Sequence, residues 1–124
     1  MFENNYLFQV PENKKVRVLV HADAKNEADD QFAIAHHLMT PREIVTGIIG
    51  GHFEKNPRQY PQMYPDGETA RASVVEIEKV VDLMGLTGQV KIAQGAPHSM
   101  PDEKTPVPSD GAQMIIDEAL KDDP

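Results

Sequence analysis

An apolar run, Val16-Arg17-Val18-Leu19-Val20, leads directly into His21-Ala22-Asp23-Ala24-Lys25-Asn26-Glu27-Ala28-Asp29-Asp30, and residues 31–39 then carry helical spacing. A strand, a polar loop and a helix opened by two aspartates leave few folds open to the chain. In an open α/β sheet the space outside the carboxyl end of a strand is where ligands bind. Five oxygen-bearing side chains gather there: Asp23, Asn26, Glu27, Asp29 and Asp30. Hard cations such as Ca²⁺ take carboxylate and carbonyl oxygens. The chain has no cysteine, and a single histidine flanks the loop, which excludes a thiolate site and disfavours zinc. Asp29 and Asp30 also suit a simpler role, capping a helix and complementing its dipole. Asp23 stands apart from that role, at the strand end itself. The placement leads us to expect Asp23, Asp29 and Asp30 to converge on one cation.

The rest of the chain repeats the alternation. A first strand is expected over about 16–22, preceded by a polar segment whose Tyr6 and Phe8 suit the sheet edge. The helix over 31–39 puts Phe32, Ala35 and Met39 on one face with Ile34 and Leu38 beside it. His36 and His37 fall near its negative end and read as structural. Thr40-Pro41 ends it, since a residue before proline is pushed out of the α region. Residues 44–49 form a second strand whose continuous apolar character suits a parallel strand buried on both faces. Gly50-Gly51-His52 follows, and glycines at a strand end let backbone approach a ligand. Parallel strands align their carboxyl ends, so His52 is a second site candidate, though an ordinary loop histidine reads the same way.

Residues 53–67 are too proline-rich for a helix or central strand. Long connections in compact domains are often lids, and Tyr60 and Tyr64 suit either a cover or a packing role. Residues 68–84 are the clearest helix, with Ala70, Val74, Ile77, Val81 and Met84 in one stripe widened by Val80, and Gly85 at its end. It reads as scaffold. Residues 89–93 are a third short strand, broken by Gln94-Gly95-Ala96. After a second proline-rich loop, Ser109 caps a last helix lined on one side by Ala112, Ile115, Ile116 and Ala119.

The order β-α-β-α-β-α, with crossovers long enough for helices, implies an α/β fold: a parallel sheet with flanking helices, in a Rossmann-type order. Three strands are few for a doubly wound sheet, so residues 1–124 are expected to be a single, incomplete domain, the N-terminal portion of a larger one. It would then pair with the remainder of its fold or with another copy, as a homo-oligomer. The formal charge of -8 and a pI near 5.0 argue against nucleic-acid or anionic-membrane partners. No apolar run approaches bilayer length and the first residues lack a secretion signal, so a cytoplasmic protein is expected.

These residues together resemble the nucleoside hydrolases of the inosine-uridine-preferring type, and more closely their divergent nucleoside-hydrolase-like branch. The family fingerprint reads Asp-x-Asp-x-x-x-Asp-Asp. Here it is matched by His21-Ala22-Asp23, five residues, then Asp29-Asp30; Asn26-Glu27-Ala28-Asp29-Asp30-Gln31 is similar to the divergent version. The likeness spans most of residues 16–124, with the acidic loop its specific motif. It implies that Asp23 binds Ca²⁺ and takes a proton from the attacking water, that Asp30 is a Ca²⁺ ligand, and that Asp29 holds ribose hydroxyls. It implies hydrolysis of an N-glycosidic or related glycosyl bond in a small nucleoside or sugar substrate, through an oxocarbenium-like state. The candidate sites are then Asp23 as catalytic base, Asn26, Asp29 and His52 for substrate, and Asp23 and Asp30 for metal. The chain departs from the family in three ways. His21 replaces an aspartate, the loop is two residues longer, and the asparagine expected after the second strand is unmatched at Gly50-Gly51-His52-Phe53. The alternative expectation is a sugar-binding domain that kept the fold without the chemistry.

Overall fold

A computed structural model describes residues 6–53 and 64–121. After one 3₁₀ turn, Glu12–Lys14, the elements run β1 (Val16–Ala22), α1 (Asp29–Met39), β2 (Glu43–Gly50), α2 (Thr69–Leu83), β3 (Ile92–Gln94) and α3 (Asp110–Ala119). The three strands form one parallel sheet in the order β1-β2-β3. The fold is therefore α/β with a parallel sheet and flanking helices.

The register from Val16 opposite Glu43 to Ala22 opposite Gly50 is broken once, between Val18 and Leu19. Leu19 pairs with Gly47, so Thr46 is the extra residue of a bulge. Because side chains alternate along a strand, the bulge returns both Val45 and Ile48 to the same face. There they join Val20 and Ala22 of β1, Ile34 and Leu38 of α1, and Ile77 and Val81 of α2 in one buried cluster. The other face belongs to α3. A side chain at Gly47 would meet Met114, and one at Gly111 would come within 2.5 Å of Ile49 Cγ2. Crossovers of constant hand into a sheet that grows in one direction put α1 and α2 on one side, and α3 crosses back over the other.

Two helix faces differ from the sequence reading. In α1, Ile34 and Leu38 are the buried pair, while Phe32 stands 78% exposed. Gln31 turns toward the preceding loop and α2, bonding the Ala24 carbonyl and Glu76, and Phe32 points away from them. In α3, Ile115 and Ile116 are about half exposed, and Gly111, Met114 and Glu118 face the sheet. That spacing of three and four residues is helical, but its residue types hide it. Gly111 is needed for close approach to Ile49, and Glu118 holds Arg17 of β1 at 2.8 Å.

β3 is shorter than expected and lies slightly later, since Gln89 N–H closes a turn onto Leu86 O at 2.9 Å. β2 also departs from burial along its whole length, as Ile44 is exposed at its start. The α2 stripe and the Ser109 cap, which accepts from Ala112 N–H at 3.0 Å, are as expected. His37 pairs with Glu43 at 2.6 Å, tying the end of α1 to the start of β2. No helix of the described residues is long and apolar enough to cross a membrane.

Ile77 is fully buried at the centre of the cluster. Ile77→Ala is expected to cost about 2–5 kcal/mol of unfolding free energy, whereas Phe32→Ala, at the exposed position, should cost less than about 1 kcal/mol. Urea unfolding of both variants checks the assignment of the α1 and α2 faces.

Candidate functional site

The carboxyl ends of the three strands are stitched together by backbone. Gly51 N–H donates to Ala22 O at 2.7 Å, and Gly95 N–H donates to Gly50 O at 2.9 Å. The glycines are required by contact. A Cβ at Gly50 would lie 2.8 Å from the backbone nitrogen of Val74, and one at Gly95 would lie 2.8 Å from Gly50 O. A Cβ at Gly51 would come within 3.0 Å of His21 Nε2. The end of β1 is thereby held against the Gly-Gly-His corner, and Asp23 emerges next to it.

The acidic loop folds on itself immediately after the strand. Asn26 N–H donates to Asp23 O at 2.7 Å, and Asn26 Nδ2 donates to Asp23 Oδ2 at 2.9 Å. Ala24 is fully buried and its carbonyl accepts from Gln31 Nε2 at 2.8 Å. Lys25 reaches Glu76 of α2 at 3.1 Å, and the same carboxylate receives Lys79 at 3.4 Å. Burial alone would push the Glu76 carboxyl up, but hydrogen bonds from Lys25 and Gln31 and the nearby lysine charges outweigh it and hold it below its ordinary value. The loop is thus braced against α2 by Glu76. That brace was missed in the sequence, because nothing in a helix read as scaffold distinguishes this glutamate from other solvated ones.

The brace brings two carboxyls together. Asp30, in the first turn of α1, lies close enough to Asp23 for the two carboxyls to interact. Partial burial, that interaction, and the negative charges of Asp23, Asp29 and Glu27 raise the Asp30 carboxyl to about 6. Capping does not explain the pair: the N-cap of α1 is Ala28, and no side chain caps the helix. Asp29 is exposed beside the pair and acts on it through charge. The convergence is therefore of Asp23 and Asp30, with Asp29 at its margin. Among the described residues, no three histidine, cysteine, aspartate or glutamate side chains form a metal cage.

Two buried polar atoms near the strand ends lack a partner among the described residues, Asn26 Oδ1 beside Asp23 and His52 Nδ1 after the glycine corner. Buried acceptors and donors are normally satisfied by protein or by ordered water; Gln31 Oε1 and Ser73 Oγ are likewise without a partner among the described residues. Asp23, Asp30 and Asn26 carry side-chain oxygens, the donor type a hard cation takes. Tyr64 is described and packs edge-on against Phe53 at 5.5 Å, a packing role. Tyr60 lies outside the described residues.

The Asp23–Asp30 contact makes a pH prediction whose sign is fixed. A carboxyl raised above its unfolded value favours its protonated form in the folded state. It therefore adds stability below about pH 4, and that contribution is lost as pH rises through about 6. In EDTA, Asp30→Asn is expected to gain thermal stability relative to the parent as pH goes from 4 to 7, read as the difference in Tm between the two proteins at each pH. A pH-independent difference would mean the two carboxyls do not interact.

Comparison with protein-family models, with curated proteins and with solved structures finds no match to this chain.

Proposed function

We propose that the chain carries the acidic loop of a Ca²⁺-dependent hydrolase acting on an N-glycosidic or related glycosyl bond. The single observation that carries this reading is the contact between Asp23 and Asp30 at the carboxyl ends of parallel strands. Two carboxylates in contact repel when both are ionised, and a divalent cation shared between them relieves that repulsion. Asp23, Asp30 and Asn26 Oδ1 are the residues that would hold it. When bound, Ca²⁺ supplies positive charge that lowers the pKa of water and grips a sugar diol.

The chain's own residues have distinct parts. Asp23 accepts a proton from the attacking water, as a general base placed where the loop leaves the strand. Its orientation is maintained by Asn26 Nδ2 at 2.9 Å. Asp29, exposed at the start of α1, binds sugar hydroxyls through a carboxylate that accepts hydrogen bonds. His52 follows the glycine corner and offers a polar ring to the substrate from the neighbouring strand. The summed negative charge of Asp23, Asp29 and Asp30 favours the positive charge that develops at the anomeric carbon as the bond loosens.

A second reading is favoured by one observation. No third carboxylate or imidazole joins the pair among the described residues, and His21 stands where the resembled family has an aspartate. On that reading the domain binds a sugar without hydrolysing it. A Ca²⁺ titration followed by a panel of nucleosides and p-nitrophenyl glycosides separates the two. Hydrolysis with Ca²⁺ dependence supports the first; saturable sugar binding without turnover supports the second.

If turnover is found, Asp23→Asn should lower kcat by about 10²–10⁴-fold with little change in KM, as loss of a positioned proton acceptor does. Asp29→Ala should instead raise KM together with a fall in kcat. Near-normal turnover of Asp23→Asn at saturating Ca²⁺ would show that another group is the base.

A further inference from the structure

One residue of α2 serves neither the core nor open water. Ile77 and Val81 pack inward, whereas Glu76 turns toward the acidic loop and α1. Its two carboxylate oxygens have different partners. Oε2 accepts from Lys25 Nζ at 3.1 Å and from Lys79 Nζ at 3.4 Å, and Oε1 accepts from Gln31 Nε2 at 3.4 Å. The Glu76 side chain is only 17% exposed, so these bonds are screened less than those of an open surface pair.

The loop partners sit close in sequence to each member of the aspartate pair. Lys25 is two residues after Asp23, and Gln31 directly follows Asp30. Gln31 Nε2 also donates to the Ala24 carbonyl at 2.8 Å, so a single amide joins α1, the loop and α2. The chain around Asp23 and the chain around Asp30 are therefore tied to one carboxylate on a packed helix. The tie has a force to oppose. Neighbouring carboxylates repel, and a loop free to move would let them separate.

Stability alone does not account for the arrangement. A glutamate that only decorated a helix would be satisfied by Lys79, three residues along. Lys25 and Gln31 instead lie 51 and 45 residues away in sequence, and both belong to the acidic segment. Groups one layer behind a metal ligand fix its orientation, and their loss weakens metal binding.

We propose that Glu76 is the positioning residue of the acidic loop: from α2 it holds Asp23 and Asp30 together, and so sets the affinity of the loop for a divalent cation. The cation clause rests on the function proposed above; the positioning of the two aspartates does not. Glu76 acts through Lys25 and Gln31 and touches neither aspartate.

The test compares Glu76→Ala and Glu76→Gln with the parent chain. Glu78→Ala is the control, because Glu78 pairs with Arg71 on the same helix, at 3.9 Å, and lines the side of α2 that meets β3. Hydrogen exchange is read in EDTA at two amides. Asn26 N–H, bonded to Asp23 O, reports on the loop, and Ile48 N–H, bonded to Lys91 O, reports on the sheet. Glu76→Ala should speed exchange at Asn26 by about tenfold or more and leave Ile48 unchanged, the mark of local opening. Glu76→Gln keeps an acceptor for Gln31 and should fall between Glu76→Ala and the parent, while Glu78→Ala should match the parent at both amides. Calorimetry should then show Ca²⁺ bound about 10–100-fold more weakly by Glu76→Ala than by the parent. Equal acceleration at Asn26 and Ile48 would reduce Glu76 to a structural ion pair and overturn the proposal. An Asn26 rate that is the same in Glu76→Ala and the parent would overturn it too. A parent that binds no Ca²⁺, with Asn26 responding as expected, would uphold the positioning and overturn the cation reading instead.

Discussion

The parallel register of β1 against β2 is the constraint on which the rest depends. With Ala22 opposite Gly50, the end of β1 and the glycine corner arrive at the same level, and Gly51 N–H closes the gap by bonding to Ala22 O. A slip of one residue would send every side chain of β1 to the other face. Val20 and Ala22 would leave the core shared with α1 and α2, and Asp23 would leave the position from which Asn26 and Asp30 reach it. The Thr46 bulge belongs to this constraint, because it allows Val45 and Ile48 both to face the core while the strand ends stay aligned.

Once the strand ends are level, the acidic loop is organised by its surroundings. Gln31 pins the Ala24 carbonyl, and Lys25 and Gln31 both meet Glu76 on α2. These contacts connect the scaffold to the site: α2 buries Ile77 and Val81 on one side and offers Glu76 to the loop from a neighbouring position. The repulsion between Asp23 and Asp30 is tolerated because the loop around them is held elsewhere. Such a local conflict between neighbouring groups is a common mark of a functional site in an otherwise consistent fold.

Much of this was legible in the amino-acid sequence, for physical reasons. The strands at 16–22 and 44–49 and the helix over 68–84 carry strong apolar patterns, and the order of elements follows from them. The faces of α1 and α3 were not legible. α3 meets the sheet through Gly111, Met114 and Glu118, a set dictated by close approach to Ile49 and by the charge of Arg17, and hydrophobicity favours Ile115 and Ile116 instead. In α1, Gln31 faces the loop and α2 through polar bonds that an apolar stripe does not reveal. In the candidate site, the approach of Asp30 to Asp23 followed from strand-loop-helix order, while the part played by Glu76 needed the packing of α2. The specific resemblance to nucleoside hydrolases lies in the acidic loop alone, and an α/β fold by itself is shared by many activities.

The most direct test of the Asp23–Asp30 pair as a cation site is calorimetry of Ca²⁺ binding at pH 6 in two buffers of different ionisation enthalpy, which counts the protons released. Carboxylates must be deprotonated to bind metal, and the Asp30 carboxyl titrates at about 6. About half a proton should therefore leave for each Ca²⁺ bound at that pH, with the release vanishing at pH 8 and in Asp30→Asn. Binding of Ca²⁺ with no proton released at pH 6, or binding unchanged in Asp30→Asn, would contradict the assignment.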